Sequence, residues 1–183
     1  MEVINTKIEG VFILNPKVFG DERGYFFESY NKQIFDELIG KNYDFVQDNE
    51  SKSSYGVLRG LHYQLAPYSQ TKLVRVLQGK VYDVAVDLRK NSSTYGEWVG
   101  VELSSENKKQ FLIPKGFAHG FCVLSETATF AYKCDEYYNP EAEGGIIYND
   151  PTLNIDWKMK QQDILVSNKD SVLPELMDIE IKL

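Results

Sequence analysis

Residues 56–64 read "GVLRGLHYQ". The length and the apolar residues Val57, Leu58, Leu61 and Tyr63 are those of a β-strand, yet the run carries Arg59 and His62, one of only two histidines in the chain. Strand side chains alternate between faces, so two residues three apart should point opposite ways. Gly60 lies between them and is the residue able to relax that alternation through a β-bulge. The other reading sends Arg59 to a cavity rim from the opposite face. The sequence leaves both open.

Outward from this stretch the chain keeps reading as short strands punctuated by Gly and Pro. "GVFILNPKVF" (10–19) and "GYFFESY" (24–30) are aromatic-rich. "TKLVRVLQGKVYDVAVDLRK" (71–90) reads as a hairpin turning at Gly79, with Val81, Asp83, Ala85 and Asp87 alternating against Tyr82, Val84, Val86 and Leu88. "EWVGVELS", "KKQFLIP", "HGFCVLS" and "ATFAYKCDEYY" continue the pattern. One segment differs: in "NKQIFDELIG" (31–40) Ile34, Phe35, Leu38 and Ile39 recur at helical spacing, with Asn31 to cap the start and Gly40 to end it. Many short strands indicate an all-β, double-sheet fold or barrel with a few short helices. Residues 149–183 read as loops and short helical turns packed over that barrel. With no repeat, low-complexity tract or linker, residues 1–183 are expected to form one domain.

Composition narrows the function classes. A net charge of −7 and a pI near 4.9 argue against a general nucleic-acid binder, so an anionic ligand must be met by locally placed Arg and Lys. The absence of a long apolar run argues against a membrane span. "MEVINTKIEG" lacks the basic and apolar regions of a signal peptide. Cys122 and Cys134 are too few for a disulfide framework, and a reduced, cytoplasmic protein is expected.

Two separated pieces carry a resemblance. "FLIPKGFAHGF" (111–121) holds Pro114, Gly116 and His119 in the spacing P-x-G-x-x-H, and Gly56, His62, Gln64, Lys72 and Gly79 follow a matching upstream outline. These resemble the two signature motifs of the cupin superfamily, which implies a jelly-roll barrel. Metal-binding cupins use three histidines and a Glu; here Gln64 and Lys72 stand at two of those positions. A protonated Lys offers no lone pair and repels a cation, so no metal is expected.

A pocket His can abstract a proton near neutral pH. A Lys ammonium can stabilise the oxyanion that grows when a proton leaves a carbon beside a ketone. His62 and Lys72 together therefore suggest enolisation, with Asp170 in "SNKDS" a candidate orienting carboxylate and Tyr132 a candidate acid. Each residue also has a plainer reading. His62 could be a half-buried strand histidine and Lys72 a solvated hairpin residue. Tyr132 could be a core aromatic, Arg23 a loop charge and Asp170 a turn or cap residue.

The whole chain resembles the nucleotide-sugar 3,5-epimerases that convert dTDP-4-dehydro-6-deoxy-D-glucose to dTDP-4-dehydro-L-rhamnose. Seven pieces match in order: "DERGYFFESY", "FVQDNESKS", "GVLRGLHYQ", "QTKLVRVLQGKVYDVAVDLR", "IPKGFAHGF", "YKCDEYYNPEAEGGIIYNDP" and "NKD". The resemblance implies His62 as base with Asp170 as its partner, Lys72 as enolate stabiliser and Tyr132 as acid. It implies Arg23 and Arg59 on the pyrophosphate, Glu28, Gln47, Asp48 and Asn49 on nucleotide and sugar, and Tyr138 stacked on thymine. His119, Glu143 and Lys169 complete the implied site. A homodimer is implied as well, some nucleotide contacts (Glu28 or Phe26) coming from the partner subunit, and no cofactor. Three alternatives stand beside this reading: an epimerase acting on one centre only, a metal-dependent cupin enzyme, and a non-catalytic sugar-nucleotide binder.

Overall fold

The computed structural model describes residues 1–179. Thirteen strands and one helix form, in chain order: β1 (Glu2–Asn5), β2 (Phe12–Asn15), β3 (Phe19–Asp21), β4 (Gly24–Phe26), α1 (Lys32–Ile39), β5 (Gln47–Ser54), β6 (Leu58–Gln64), β7 (Lys72–Gln78), β8 (Lys80–Asp87), β9 (Trp98–Ser104), β10 (Gln110–Ile113), β11 (Phe117–Val123), β12 (Thr127–Cys134) and β13 (Glu143–Gly145). They build a six-stranded antiparallel sheet in the order β1-β2-β10-β7-β12-β5 and a five-stranded one in the order β13-β6-β11-β8-β9. The hairpin β3–β4 stands apart from both. This is the expected all-β, cupin-type jelly roll.

The two sheets face each other over one apolar core. Val74, Val76, Phe111, Ile113 and Phe130 come from the first, and Val81, Ala85, Leu103, Phe117, Phe121 and Val123 from the second. Each sheet is also covered outside. Helix α1 and its flanks bring Phe35 and Tyr43 onto Leu14, Leu73 and Leu112 of the six-stranded sheet. Residues 146–176 lay Ile146, Leu153, Trp157 and Leu176 on Leu61, Val84, Val86 and Cys122 of the five-stranded sheet. A central strand covered on both faces has no solvent side, so all seven residues of β11 are buried. Removal of this apolar surface from water is the main force holding the layers together.

Helix α1 forms where the periodicity predicts it. The Asn31 side chain accepts from the Ile34 N–H, and Gly40, at φ 73°, takes the left-handed position that ends the helix. The hairpin expected at Gly79 is corrected. Strands β7 and β8 do flank that glycine, but they belong to different sheets and do not pair. A tight paired hairpin needs two residues in its loop, whereas the connection here is Gly79 alone, at φ 77°. It is a corner between sheets, held on the β11–β12 turn by the Lys80 N–H donated to Ser125 Oγ and the Leu124 N–H donated to the Lys80 carbonyl. The closing segment is, as expected, loops and short 3₁₀ turns (Gln161–Asp163, Asp170–Val172, Leu176–Asp178); residues 180–183 of that expectation lie outside the described residues.

Candidate active site

The pairing of β6 with β11 answers the question posed by Arg59 and His62. His119 is paired with His62 and Phe121 with Arg59, so β6 advances three residues where β11 advances two. The extra residue is a β-bulge at Gly60–Leu61. It puts Arg59 and His62 on one face. Gly60 is required by its backbone, at φ 126°, and by closeness: a Cβ there would lie 2.5 Å from Gly120 Cα and 2.8 Å from the His119 carbonyl oxygen.

The bulge leaves the Gly60 N–H out of the ladder, and Asp170 collects it. Asp170 Oδ2 accepts that N–H at 3.3 Å, while Oδ1 lies 2.8 Å from His62 Nε2. One buried carboxylate thus bridges the bulge and the imidazole. A carboxylate accepts only, so Nε2 carries the hydrogen and Nδ1 keeps the lone pair that can take a proton. Asp170 is itself placed by its own N–H donated to Ser167 Oγ and by a strap to the start of β6: Leu165 donates its N–H to the Gly56 carbonyl and accepts the Leu58 N–H.

Arg59, His62, Lys72, His119, Tyr132, Lys169 and Asp170 all line one cavity of about 530 Å³ between the sheets. His62 and His119 come from the five-stranded sheet, Lys72 and Tyr132 from the six-stranded sheet facing it. Lys72 is paired with Cys134, and Tyr132 with Val74, so the Lys72 Nζ lies 6.0 Å from the Tyr132 ring centroid. Desolvation lowers the pKa of the Lys72 ammonium; Cys134, Asp83 and Glu143 oppose that only through space. Burial raises the Tyr132 phenol, which therefore holds a proton to give. Both thiols are free, and burial pushes each up to about 11.

The rim follows the same pattern of mutual support. Arg59 Nε donates to Ser53 Oγ at 3.1 Å, which orients the guanidinium. Glu143 Oε2 accepts from Tyr138 Oη and from Lys169 Nζ, each at 2.7 Å. Burial works to raise the Glu143 carboxyl, but these two donors outweigh it and hold it below its ordinary value. Gln64, at the position where metal-binding cupins have a histidine, spends its amide on loop carbonyls and on the Asn139 N–H. It ties down the loop that carries Tyr138. Among the described residues no group of three or more His, Cys, Asp or Glu side chains is placed to hold a metal ion.

Not every residue expected at the site gathers there. Gln47 accepts the Tyr138 N–H and donates to Asn49, but strand alternation turns Asp48 to the other face of β5, where Lys133 binds it at 2.9 and 3.0 Å. Gln47, Asp48 and Asn49 therefore do not share a face. Arg23 and Phe26 sit on the β3–β4 hairpin, Arg23 paired with Asp21, and Glu28 borders a separate crevice with Phe19 and Ile34. None of the three lines the His62 cavity. Conversely, Asp83 and Ser53 were not singled out from the sequence. The signal for Asp83 was an Asp on the same alternating phase as Val81 and Ala85, which marks a carboxylate pointing into the core.

A family model described as dTDP-4-dehydrorhamnose 3,5-epimerase matches residues 5–178. The chain belongs to the dTDP-4-dehydrorhamnose 3,5-epimerase family. The Shigella flexneri dTDP-4-dehydrorhamnose 3,5-epimerase is 58% identical over 170 residues, 93% of each chain. The crystal structure of the enzyme of that name from Elizabethkingia anophelis NUHP1 superposes with a TM-score of 0.94 at 57% identity, covering 97% of each chain. The Legionella pneumophila Philadelphia 1 dTDP-6-deoxy-D-glucose-3,5-epimerase, in complex with dTDP-4-keto-L-rhamnose, gives a TM-score of 0.94 at 55% identity, covering 98% of this chain and 94% of that one.

Proposed function

We infer that this chain is an isomerase that converts dTDP-4-dehydro-6-deoxy-D-glucose to dTDP-4-dehydro-L-rhamnose by inverting C3 and C5. The observation that carries the reading is the division of labour across the cavity: a base on one sheet, held by a carboxylate from the covering segment, and an ammonium and a protonated phenol on the other sheet. The C3 and C5 protons both flank the C4 ketone. His62 takes the C3 proton, the C–H electron pair forms the C3–C4 double bond as the carbonyl π pair moves onto the C4 oxygen, and Lys72 stabilises the enolate. Tyr132 returns a proton from the facing side. His62 releases its proton to solvent and Tyr132 takes one back, and the same groups then act at C5. Carbon keeps its oxidation level throughout, so the scheme calls for no redox cofactor.

Arg59, oriented by Ser53, suits a pyrophosphate, for which a forked and permanently charged guanidinium is well shaped. Tyr138 stacks on thymine, with Gln47, Asn49, His119, Glu143 and Lys169 on nucleotide and sugar. The chain acts as a cytoplasmic homodimer in which Arg23, Phe26 and Glu28 complete the partner's cavity. Support for this comes from Phe19, Tyr25 and Phe26, which are 54%, 61% and 69% exposed on a hairpin joined to neither sheet. A fully active monomer in analytical ultracentrifugation would remove the dimer. For the reaction itself, the test is NMR of the substrate with enzyme in D2O: deuterium enters at C3 and C5 and the L-sugar accumulates. Label at one centre alone would establish a single-centre epimerase, and label at neither would end the reading.

A further inference from the structure

Asp83 lies beneath the cavity, wholly buried on β8. A carboxylate is placed in such surroundings at a cost in free energy unless it is paired. Both its oxygens approach a single atom, His119 Nε2, at 2.9 and 3.0 Å. His119 lies directly across from His62 in the β6–β11 register, its ring stacked at 6.1 Å on Phe130. Lys72 enters the same cavity from the facing sheet. Burial raises the Asp83 carboxyl, and His119 first and then the Lys72 charge work against that rise; Asp83 in turn works against the lowering of Lys72 by burial.

The groups around Lys72 can be taken strand by strand. From β12 come the Cys134 thiol and the Tyr132 phenol, both uncharged at neutral pH. From β10, its partner Ile113 brings no charge. From β13 comes Glu143, already engaged by Lys169 and Tyr138. From β6 come Arg59, of like sign, and His62, tied to Asp170; from β11 comes His119, tied to Asp83. Lys169 adds a second like charge to the lining. Asp83 is thus the carboxylate under the cavity whose only hydrogen-bond partner among the described residues is His119.

We propose that Asp83 is a positioning residue for catalysis, fixing the His119 ring to the cavity floor and serving as the counter-charge of the Lys72 ammonium. This rests on the reading of Lys72 as enolate stabiliser, and one arm of the test is independent of it. Asp83→Asn keeps the shape and removes the charge. Burial of the ammonium is then less opposed, so Lys72 loses its proton at lower pH. In substrate-free enzyme, acylation of Lys72 followed by peptide mass spectrometry should begin at lower pH in the variant. In turnover, the alkaline limb of kcat should move the same way, leaving the variant about tenfold further below wild type on the alkaline side than at neutral pH. Unchanged acylation overturns the proposal and leaves Asp83 only the hydrogen-bond acceptor of a structural His119. Shifted acylation with an unmoved alkaline limb keeps the electrostatic link and overturns the catalytic part. Should Asp83→Asn fail to fold, Asp83→Asn combined with Lys72→Met removes both charges: recovered folding supports the pairing, and continued failure overturns it.

Discussion

Gly60→Ala is the substitution that tests the site most directly, because it leaves every catalytic side chain in place. Two costs can be separated. The backbone at φ 126° is a conformation that L-residues adopt only with strain, a cost of about 1–2 kcal/mol. The new methyl would also stand 2.5 Å from Gly120 Cα and 2.8 Å from the His119 carbonyl oxygen, both backbone atoms that cannot rotate away. Restoring ordinary contact, from 3.4 Å upward, parts β6 from β11 by about 0.9 Å, an overpacking cost of about 1–3 kcal/mol. The sum, about 2–5 kcal/mol, is read by urea unfolding. Gly24→Ala is the control: at φ 131° it has nothing within 4 Å, so it incurs the backbone cost alone. Catalysis should suffer separately, since displacing His62 and Asp170 by about 1 Å is the scale of error that costs about 100-fold in rate. Deuterium exchange at C3 and C5 measures it. A Gly60→Ala enzyme no less stable than Gly24→Ala, with wild-type exchange, would refute the claim that this bulge aligns the base.

Four further outcomes follow from the geometry. Tyr132→Phe should keep deuterium exchange while losing most inversion at C5, because deprotonation survives and delivery to the other face does not; NMR of the product mixture distinguishes these. Asp170→Asn should lower kcat by about 10²–10⁴ with substrate affinity retained, since an amide in place of the acceptor permits the wrong imidazole tautomer; steady-state kinetics with calorimetric binding of dTDP checks it. Turnover should survive exhaustive chelation, as Lys72 stands where metal-binding cupins place a carboxylate; loss with EDTA and recovery with zinc, iron or manganese would contradict this. Asp87 is held at about 2: burial would raise it, but Arg89, Ser92 and Thr94 together outweigh burial. Its folded value lies below the ordinary 3.8, so its stabilisation of about 2 kcal/mol is present above 3.8 and fades as pH falls through about 2. Urea midpoints of wild type and Asp87→Asn should therefore converge across that window.

Where side-chain pattern dictates structure, the sequence was readable. The Asn31 and Gly40 caps and the apolar spacing of residues 34–39 specify α1, and alternation gives most strands. Strand β5 was harder: "QDNESKSS" carries no apolar residue, and it is a strand because every position from Gln47 to Ser54 pairs with β12. Such a strand is defined by its neighbour, and no local signal announces it. The Gly79 corner failed for a related reason, since a turn glycine does not say whether its flanking strands will pair with each other or with strands far along the chain. At the site, residue chemistry points to His62, Lys72, Asp170 and Tyr132 and the resemblance gives each its role, while Asp83 and Ser53 lie outside both. The sequence allows the bulge as one of two readings, and Asp83 and Ser53 act through His119 and Arg59 across separations that sequence does not display.

The bridging carboxylate has a consequence for the life of the molecule. Asp170 lies 108 residues beyond His62, later in the chain than every strand of the barrel. Chains are made and begin to fold from the N-terminus. A barrel closed on the ribosome would hold its imidazole with no acceptor at Nε2 and its bulged Gly60 N–H bare. The strap at Leu165 and the 3₁₀ turn after it supply both at one stroke. The order of synthesis is in this way an order of activation: the segment that arms the base is made after every strand of the barrel.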